Sequence, residues 1–355
     1  MKIERAKLEP IGYRLRKPLL THRGELRERR GYRITLHGRG PLIGLGEALP
    51  LVSSGTESAP ECERGLAQLA ARLEGASGTL DELIGRVEET AAAAPAARCA
   101  WDGALHGLAA QEDGVSVARL LGSQPPLSVP VNAVIGGGSL EESVAAAREA
   151  RALGFRTLKL KLSQAGIEQD EARLRAVREA LGHELRLRID ANGAWSADEA
   201  LGILERLAPL ALEFVEQPVP AHDLAGLARL RAEAPVAIAA DETLALVAGR
   251  DAVQQGELAS IAVLKPMVLG GLRACLHFAK TAREHGVRCV VTTTFEGWVG
   301  TALAAHLAAA LGEAELAHGL ASSQVLETPF PPELIPQAGY LQVCELPGLG
   351  CTPAR

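Results

Sequence analysis

Residues 188–195 read RIDANGAW, a short apolar run that closes on Asp190. The same design returns twice downstream: EFVEQP at 213–218 closes on Glu216, and IAADET at 238–243 closes on Asp241. The three acids stand about 25 residues apart, the length of one strand–helix unit in a parallel barrel of about 250 residues and eight units. Three successive barrel strands would therefore each present a carboxylate at the C-terminal rim. Converging carboxylates repel unless a cation lies between them, and a ligand set made only of oxygens suits a hard ion such as Mg²⁺, with Mn²⁺ as the alternative. A lysine flanks the set on each side: Lys161 ends TLKLKL (157–162) and Lys265 ends IAVLK (261–265).

Strand–helix alternation extends in both directions from this core. Strands are predicted at 129–135, 157–161, 185–190, 211–216, 236–240, 260–265, 287–292 and 315–318. Alanine-rich amphipathic segments such as 140–153, 170–181 and 197–207 lie between them. The fold class is α/β, and eight parallel strands with crossover helices indicate a barrel over residues 96–325. Residues 1–95 read as an α+β capping domain. They hold strands at 2–13 and 31–37 joined by a basic loop, THRGELRERR (21–30), a Gly/Pro-rich turn at 38–51, and helices at 57–74 and 80–94. A long helix is predicted at 97–121. The Pro- and Gly-rich residues 326–355 break the rhythm and are expected to run back over the barrel or the cap.

The chain has 355 residues, 47% hydrophobic and 23% charged, ordinary values for a globular protein large enough for a barrel and a second domain. A net charge of −6 and only 3% aromatic residues argue against nucleic acid as a partner. No apolar run approaches the ~18 residues of a membrane span, and MKIERAKLEP lacks an apolar signal core, so a cytoplasmic location is expected. Six scattered cysteines without a CxxC pair read as buried thiols.

A single acid after a strand is usually a helix cap or a solvated charge; three at the ends of consecutive strands are not. Asn192 and Glu242 are placed to orient these ligands. Lys159 and Lys161 are two apart on one strand and point to the same face, so two ammonium groups enter the barrel. Cation proximity and mutual repulsion are expected to depress an ammonium pKa there, as suits a general base. Lys265 precedes Pro266 and reads as a second acid/base or a fixed cation. Weaker candidates for substrate contact are Gly136 in a glycine run, Thr293 and Glu296 after the seventh strand, His318 at the eighth, and Thr21 and Arg23 in the basic loop. Thr293 has a bland alternative as a helix cap and His318 as a hydrogen-bonded structural residue.

The set KLK (159–161), DANGAW (190–195), EQP (216–218), DET (241–243) and LKP (264–266), with ARCAWDGALHGLAAQEDGVSVARLLG (97–122), resembles the enolase superfamily, muconate-lactonizing-enzyme subgroup, over nearly the whole chain. The resemblance implies a (β/α)₇β TIM-like barrel and an N-terminal capping domain completed by the C-terminal segment. It also implies chemistry that begins with removal of a proton α to a carboxylate, the enediolate being stabilised by a divalent metal. TTTFEGWVGTALAAHLAAAL (292–311) and AHGL (317–320) are most similar to the o-succinylbenzoate synthases of menaquinone biosynthesis. By that resemblance Lys161 removes the proton and then assists departure of hydroxide, Lys159 supports charge near the base, and Lys265 stabilises the intermediate. N-acylamino acid racemases share the scaffold and use both lysines as bases, and muconate cycloisomerases also fit it. Dipeptide epimerases carry a DxD motif near strand eight, where this chain has Leu320, Ala321 and Ser322. A catalytically silent binding barrel is the alternative outside enzymes. Specificity is expected in the loops around 21–28 and 49–58 and past strands seven and eight. A monomer and a homo-oligomer are equally compatible with the sequence.

Overall fold

The computed structural model describes residues 1–21, 24–124, 127–162 and 166–351. The chain opens with a three-stranded antiparallel sheet: β1 (Arg5–Thr21), β2 (Gly24–His37) and β3 (Ile43–Ala48). Helices α1 (Ala59–Leu73), α2 (Leu80–Thr90), α3 (Pro95–Glu112) and α4 (Val117–Leu120) follow. The helix starts at Ser58 and Thr79 are set by capping boxes with Glu61 and Glu82.

Two expectations change here. Most of the basic stretch at 21–30 is strand: β1 runs to Thr21 and β2 starts at Gly24. β1 and β2 stay paired from Arg5↔His37 to Thr21↔Gly24, with one register slip between Arg14 and Leu19. The part of β2 at 24–30 has no hydrophobic alternation to betray it, with Leu26 as its single apolar side chain. The glycine-rich stretch at 38–51 contains β3, missed because its glycines looked like a turn. They are needed for close packing: a Cβ at Gly44 would lie 1.9 Å from the Ala104 carbonyl oxygen, and one at Gly46 1.8 Å from that of Ala100. Helix α3 thus rests directly on the strand backbone. The same helix caps a barrel helix through Asp102, as described below.

β4 (Ser128–Pro130) leaves the expected first barrel strand to pair antiparallel with β12 (Tyr340–Gln342) near the C-terminus. The barrel strands are β5 (Ala133–Ile135), β6 (Thr157–Lys161), β7 (Arg186–Asp190), β8 (Phe214–Glu216), β9 (Ile238–Ala240), β10 (Ile261–Leu264) and β11 (Arg288–Val291). All are parallel and in sequential order. Helices α5 (Leu140–Ala152), α6 (Ile167–Leu181), α7 (Ala197–Leu207), α8 (Leu224–Glu233), α9 (Val247–Gln254), α10 (Pro266–Leu269), α11 (Leu272–Glu284) and α12 (Trp298–Leu311) cover the outside. The eighth expected strand is reduced to two parallel bridges, His318 to Val131 and Gly319 to Thr292. These bridges join the two edges of the seven-stranded sheet, so the architecture is a TIM-like barrel with a capping sheet.

Inward side chains fill the barrel with Phe214, Ala239, Ile261, Val263, Val290 and Leu316, the layered interior such barrels require. Asp102 accepts hydrogen bonds from the Leu272 and Arg273 N–H groups and caps α11. Gly271, at φ +128°, leaves room for that carboxylate. The C-terminal residues return to the hairpin: Leu326 bridges to Leu15, and Gly348 bridges to Ser116. No helix of the described residues is long and apolar enough to cross a membrane. All six cysteines are free, five of them buried.

Sheet and barrel are locked by buried charge. Arg29 donates to the carbonyls of Leu49, Pro50 and Thr294. Glu47 accepts from the Gly297 N–H at 2.5 Å and from the Tyr13 hydroxyl. Burial pushes the Glu47 carboxyl up to about 7, against the pull of the Gly297 N–H. The folded state therefore holds this proton more tightly than the unfolded chain, and the stability it contributes is lost as pH rises from about 4.5 to 7. Glu47→Gln is expected to flatten that part of the pH–stability curve by up to about 3 kcal/mol. Urea denaturation of the two proteins at pH 5 and pH 8 measures the difference, and parallel curves would refute it.

Candidate active site at the barrel rim

The inward alternation that fills the barrel also builds the site. Lys161, Asp190 and Glu216 are register partners across β6, β7 and β8. Asp241 and Lys265 follow β9 and β10 directly. All five lie at C-terminal strand ends, where (β/α) barrels carry their active sites. The three carboxylates are buried.

Lys159, one inward position below Lys161, places Nζ 2.6 Å from Glu216 Oε1 and 3.0 Å from Asp190 Oδ2. Lys265 Nζ is 2.6 Å from Asp241 Oδ2. Lys161 is held loosely, 3.4 Å from Asp190 Oδ2 and 3.5 Å from Asn192 Oδ1, with its side chain 33% exposed. The two rim lysines thus differ: Lys265 is clamped and buried, Lys161 reaches toward solvent.

Electrostatics follow from the packing. Burial opposes the charge on Asp190, but the Lys159 and Lys161 ammonium groups outweigh it and hold the carboxyl well below its ordinary range. Burial pushes Glu216 up to about 7 against the attraction of Lys159, and repulsion by Asp190 and Asp241 adds to the rise. Asp241 is raised by burial despite Lys265. Lys159 does not show the depression expected of the Lys159–Lys161 pair, and Lys265 is raised as well. Burial disfavours their charge, yet Asp190 and Glu216 for Lys159, and Asp241 for Lys265, hold both above the ordinary lysine value.

The supporting residues are tightly placed. Asn192, at φ +46°, takes a carboxylate oxygen of Asp190 on its own N–H and donates through Nδ2 to Glu242 Oε1. Glu242 Oε2 is buried with no hydrogen-bond partner among the described residues. Gln217 lies inside the EQP motif, between the ligand candidate Glu216 and Pro218. It is fully buried, and its Oε1 accepts from the N–H groups of Asp241 and Thr243. It therefore sets the backbone that carries Asp241. Its left-handed φ of +40° marks a backbone fixed for a purpose.

The donor chemistry fits a hard cation. Three neighbouring buried carboxylates, one of them pushed up by burial and then by its acidic neighbours, form an all-oxygen set. Among the described residues no three acids, histidines or cysteines already converge as a metal cage. Lys159 and Lys265 reach in between the carboxylates, so holding a metal requires these ammonium groups to withdraw.

The weaker candidates divide. Gly136 faces open space at the rim. Thr293 shares a 2.7 Å hydrogen bond with Ser322. Glu296 is buried, accepts from Thr294 and is turned toward Arg29 of the hairpin; it does not face the mouth. His318 is 1% exposed, its Nδ1 accepts from the Val291 N–H, and burial lowers its pKa to about 3. The bland reading fits it. Thr21 ends β1 and Arg23 lies outside the described residues. The cap loop at 49–58 does reach the rim, where Gly55 abuts Ala245 and Val268. Val134, the register partner of Lys159, is 45% exposed inside the barrel mouth. Only the alternation of β5 could have revealed that apolar surface beside the lysines.

The family profile described as Enolase C-terminal domain-like matches residues 142–355, more than half of the chain. The chain belongs to the enolase superfamily. Its relatives place it in the muconate-lactonizing-enzyme subgroup. An o-succinylbenzoate synthase from Thermobifida fusca is 40% identical over 219 residues, 61% of this chain and 67% of the relative. An L-Lys-D/L-Arg epimerase from Methylococcus capsulatus is 35% identical over 323 residues, 87% of each chain. The solved dipeptide epimerase from Methylococcus capsulatus, complexed with Mg and the dipeptide L-Arg-D-Lys, superposes with a TM-score of 0.90 at 32% identity. That superposition covers 99% of this chain and all of the other.

Proposed function

We propose that this enolase-superfamily member is an o-succinylbenzoate synthase, dehydrating 2-succinyl-6-hydroxy-2,4-cyclohexadiene-1-carboxylate. The observation that carries this reading is the inequality of the rim lysines. A one-base elimination needs one mobile amine and one fixed cation, and Lys161 and Lys265 match those roles. The 40% identity to a synthase supports it. Asp190, Glu216 and Asp241 would hold Mg²⁺ or Mn²⁺, which supplies positive charge to the substrate carboxylate. Lys161 Nζ takes the proton from the carbon α to that carboxylate, and the C–H electrons pass into the enediolate. Lys161 then returns the proton to the departing hydroxyl on the same face as the C–O bond breaks. Water leaves and the ring becomes aromatic, so acidifying the α-proton is the main task. Lys159 is the counter-charge of Asp190 and Glu216 in the metal-free site, and Lys265 stays a cation on the other side.

Racemisation or epimerisation is the second reading, favoured by the epimerase match across 87% of the chain. It would make Lys265 a base as well. A dipeptide substrate carries an α-ammonium group, and the segment at strand eight offers it only Leu320, Ala321 and Ser322, so an N-acylamino acid is the better substrate within that reading. Purified protein with Mg²⁺ should form o-succinylbenzoate rapidly and stop on addition of EDTA. Failure to turn over, in protein that exchanges the α-hydrogen of N-acylamino acids in D₂O, assigns it to the racemases. Lys265→Arg keeps a fixed cation, so dehydration should fall by no more than about tenfold, whereas a two-base reaction, losing a general acid/base worth about 10²–10⁴, should nearly cease.

A further inference from the structure

The β5–β6 ladder ends at Ile135↔Leu160, one residue short of the proposed base. Beyond that point β5 contributes no strand pairing, and the gap opens at Gly136, whose Cα faces free space. A single side chain spans the gap. Arg173, on α6 and 3% exposed, donates from Nη2 to the Gly136 carbonyl at 2.6 Å and from Nη1 to the Lys161 carbonyl at 3.4 Å. Its Nε donates to Ser143 Oγ on α5 at 2.8 Å, and Nη1 also meets Asp170 Oδ1 at 2.5 Å. The planar guanidinium thus takes over where the ladder stops, joining the ends of two strands and the helix behind each.

We propose that Arg173 is a positioning residue for proton abstraction: it fixes the backbone from which Lys161 reaches the substrate and keeps the mouth open at Gly136. The inference rests on Lys161 being the base. Among the described residues the Lys161 side chain has two polar contacts, both long, so its Nζ position depends on the backbone that carries it. The neighbouring strand secures one side, through the Leu162 N–H on the Asp190 carbonyl; Arg173 secures the other.

A matched control lies on the same helix. Arg178 is also buried and bonds only to carbonyls of Gly182, Leu185, Leu210 and Ala211, at the far end of the barrel. R173K and R178K each remove one fork. A lysine at 173 can reach one of the two rim carbonyls but cannot bridge both. Two readouts are taken on the full-length proteins: steady-state kinetics, and the acetylation rate of Lys161 by acetic anhydride relative to exposed Lys280, by peptide mass spectrometry. For R173K the expected result is a fall in kcat of about tenfold or more with KM nearly unchanged, and an acetylation ratio altered about threefold or more, because small misplacements of a reacting group are costly. R178K should lower stability and leave the ratio as it was. Should R173K not fold, D170N/R173Q removes both buried charges together and carries the same readouts. An unchanged ratio in the folded variant, or an equal change in R178K, overturns the inference. The ratio needs no substrate, so a wild-type protein inactive on the cyclohexadiene would sink the synthase reading and leave this test intact.

Discussion

Lys161→Ala is expected to lower turnover by about 10³- to 10⁴-fold, the upper part of the range for a general base. Metal affinity should stay within a few-fold, because Lys161 makes no short contact with Glu216 or Asp241 and only a 3.4 Å contact with Asp190. Solvent-deuterium exchange at the α-carbon is the decisive measurement. If exchange persists near the wild-type rate, the proton leaves to another group, and Lys265 becomes the candidate. The variant should fold normally: its side chain is one-third exposed, and Asp190 keeps Lys159 at 3.0 Å.

Lys159→Met should act on stability first. The ammonium compensates both Asp190 and Glu216, whose carboxylates are buried, and removing one member of such a set leaves charge without a partner, at about 3–5 kcal/mol. The loss should be largest in EDTA-treated protein and grow with pH. Without Lys159 the folded-state pKa of Asp190 rises from its depressed value, and that of Glu216, already raised, climbs further. The folded state then binds the extra protons, and stability falls as pH climbs through that window. The penalty should shrink only as pH falls far enough to protonate Asp190 in the folded wild type, whose carboxyl is held well below its ordinary range. Added Mg²⁺ should restore the variant more than the wild type, since a cation among the carboxylates replaces the missing charge. Denaturation midpoints with EDTA and with Mg²⁺, at two pH values, test this. Equal stability of the two metal-free proteins would show that Lys159 is not their counter-charge.

The two variants separate roles that look alike in sequence. Lys159 and Lys161 are two residues apart and face the same way, but one lies between carboxylates and the other at their edge. Nothing in TLKLKL distinguishes them. Depth along the strand does, because an inward position one step lower sets the ammonium between Asp190 and Glu216, its side chain 14% exposed against 33% for Lys161. The expected lowering of ammonium pKa fails at Lys159 because short carboxylate contacts outweigh burial, as they also do at Lys265.

Local sequence determined the barrel strands that end in charged residues, the helices with capping boxes, and the row of Lys161, Asp190, Glu216, Asp241 and Lys265. Each of these is a pattern of residue type against a fixed period, and both periods come from backbone geometry alone. Only the tertiary structure decided the remainder. The part of β2 at 24–30 and strand β3 have no alternation to read, because one has Leu26 as its single apolar side chain and the other is packed through glycines against α3. The eighth strand shrank to two bridges because closing the barrel needs only two edges joined. Gln217 under Asp241, Arg173 behind Lys161 and Val134 in the mouth acquired their roles from neighbours far away in sequence. Side chains that act through distant backbone carry no local signature, since their partners are chosen by the fold.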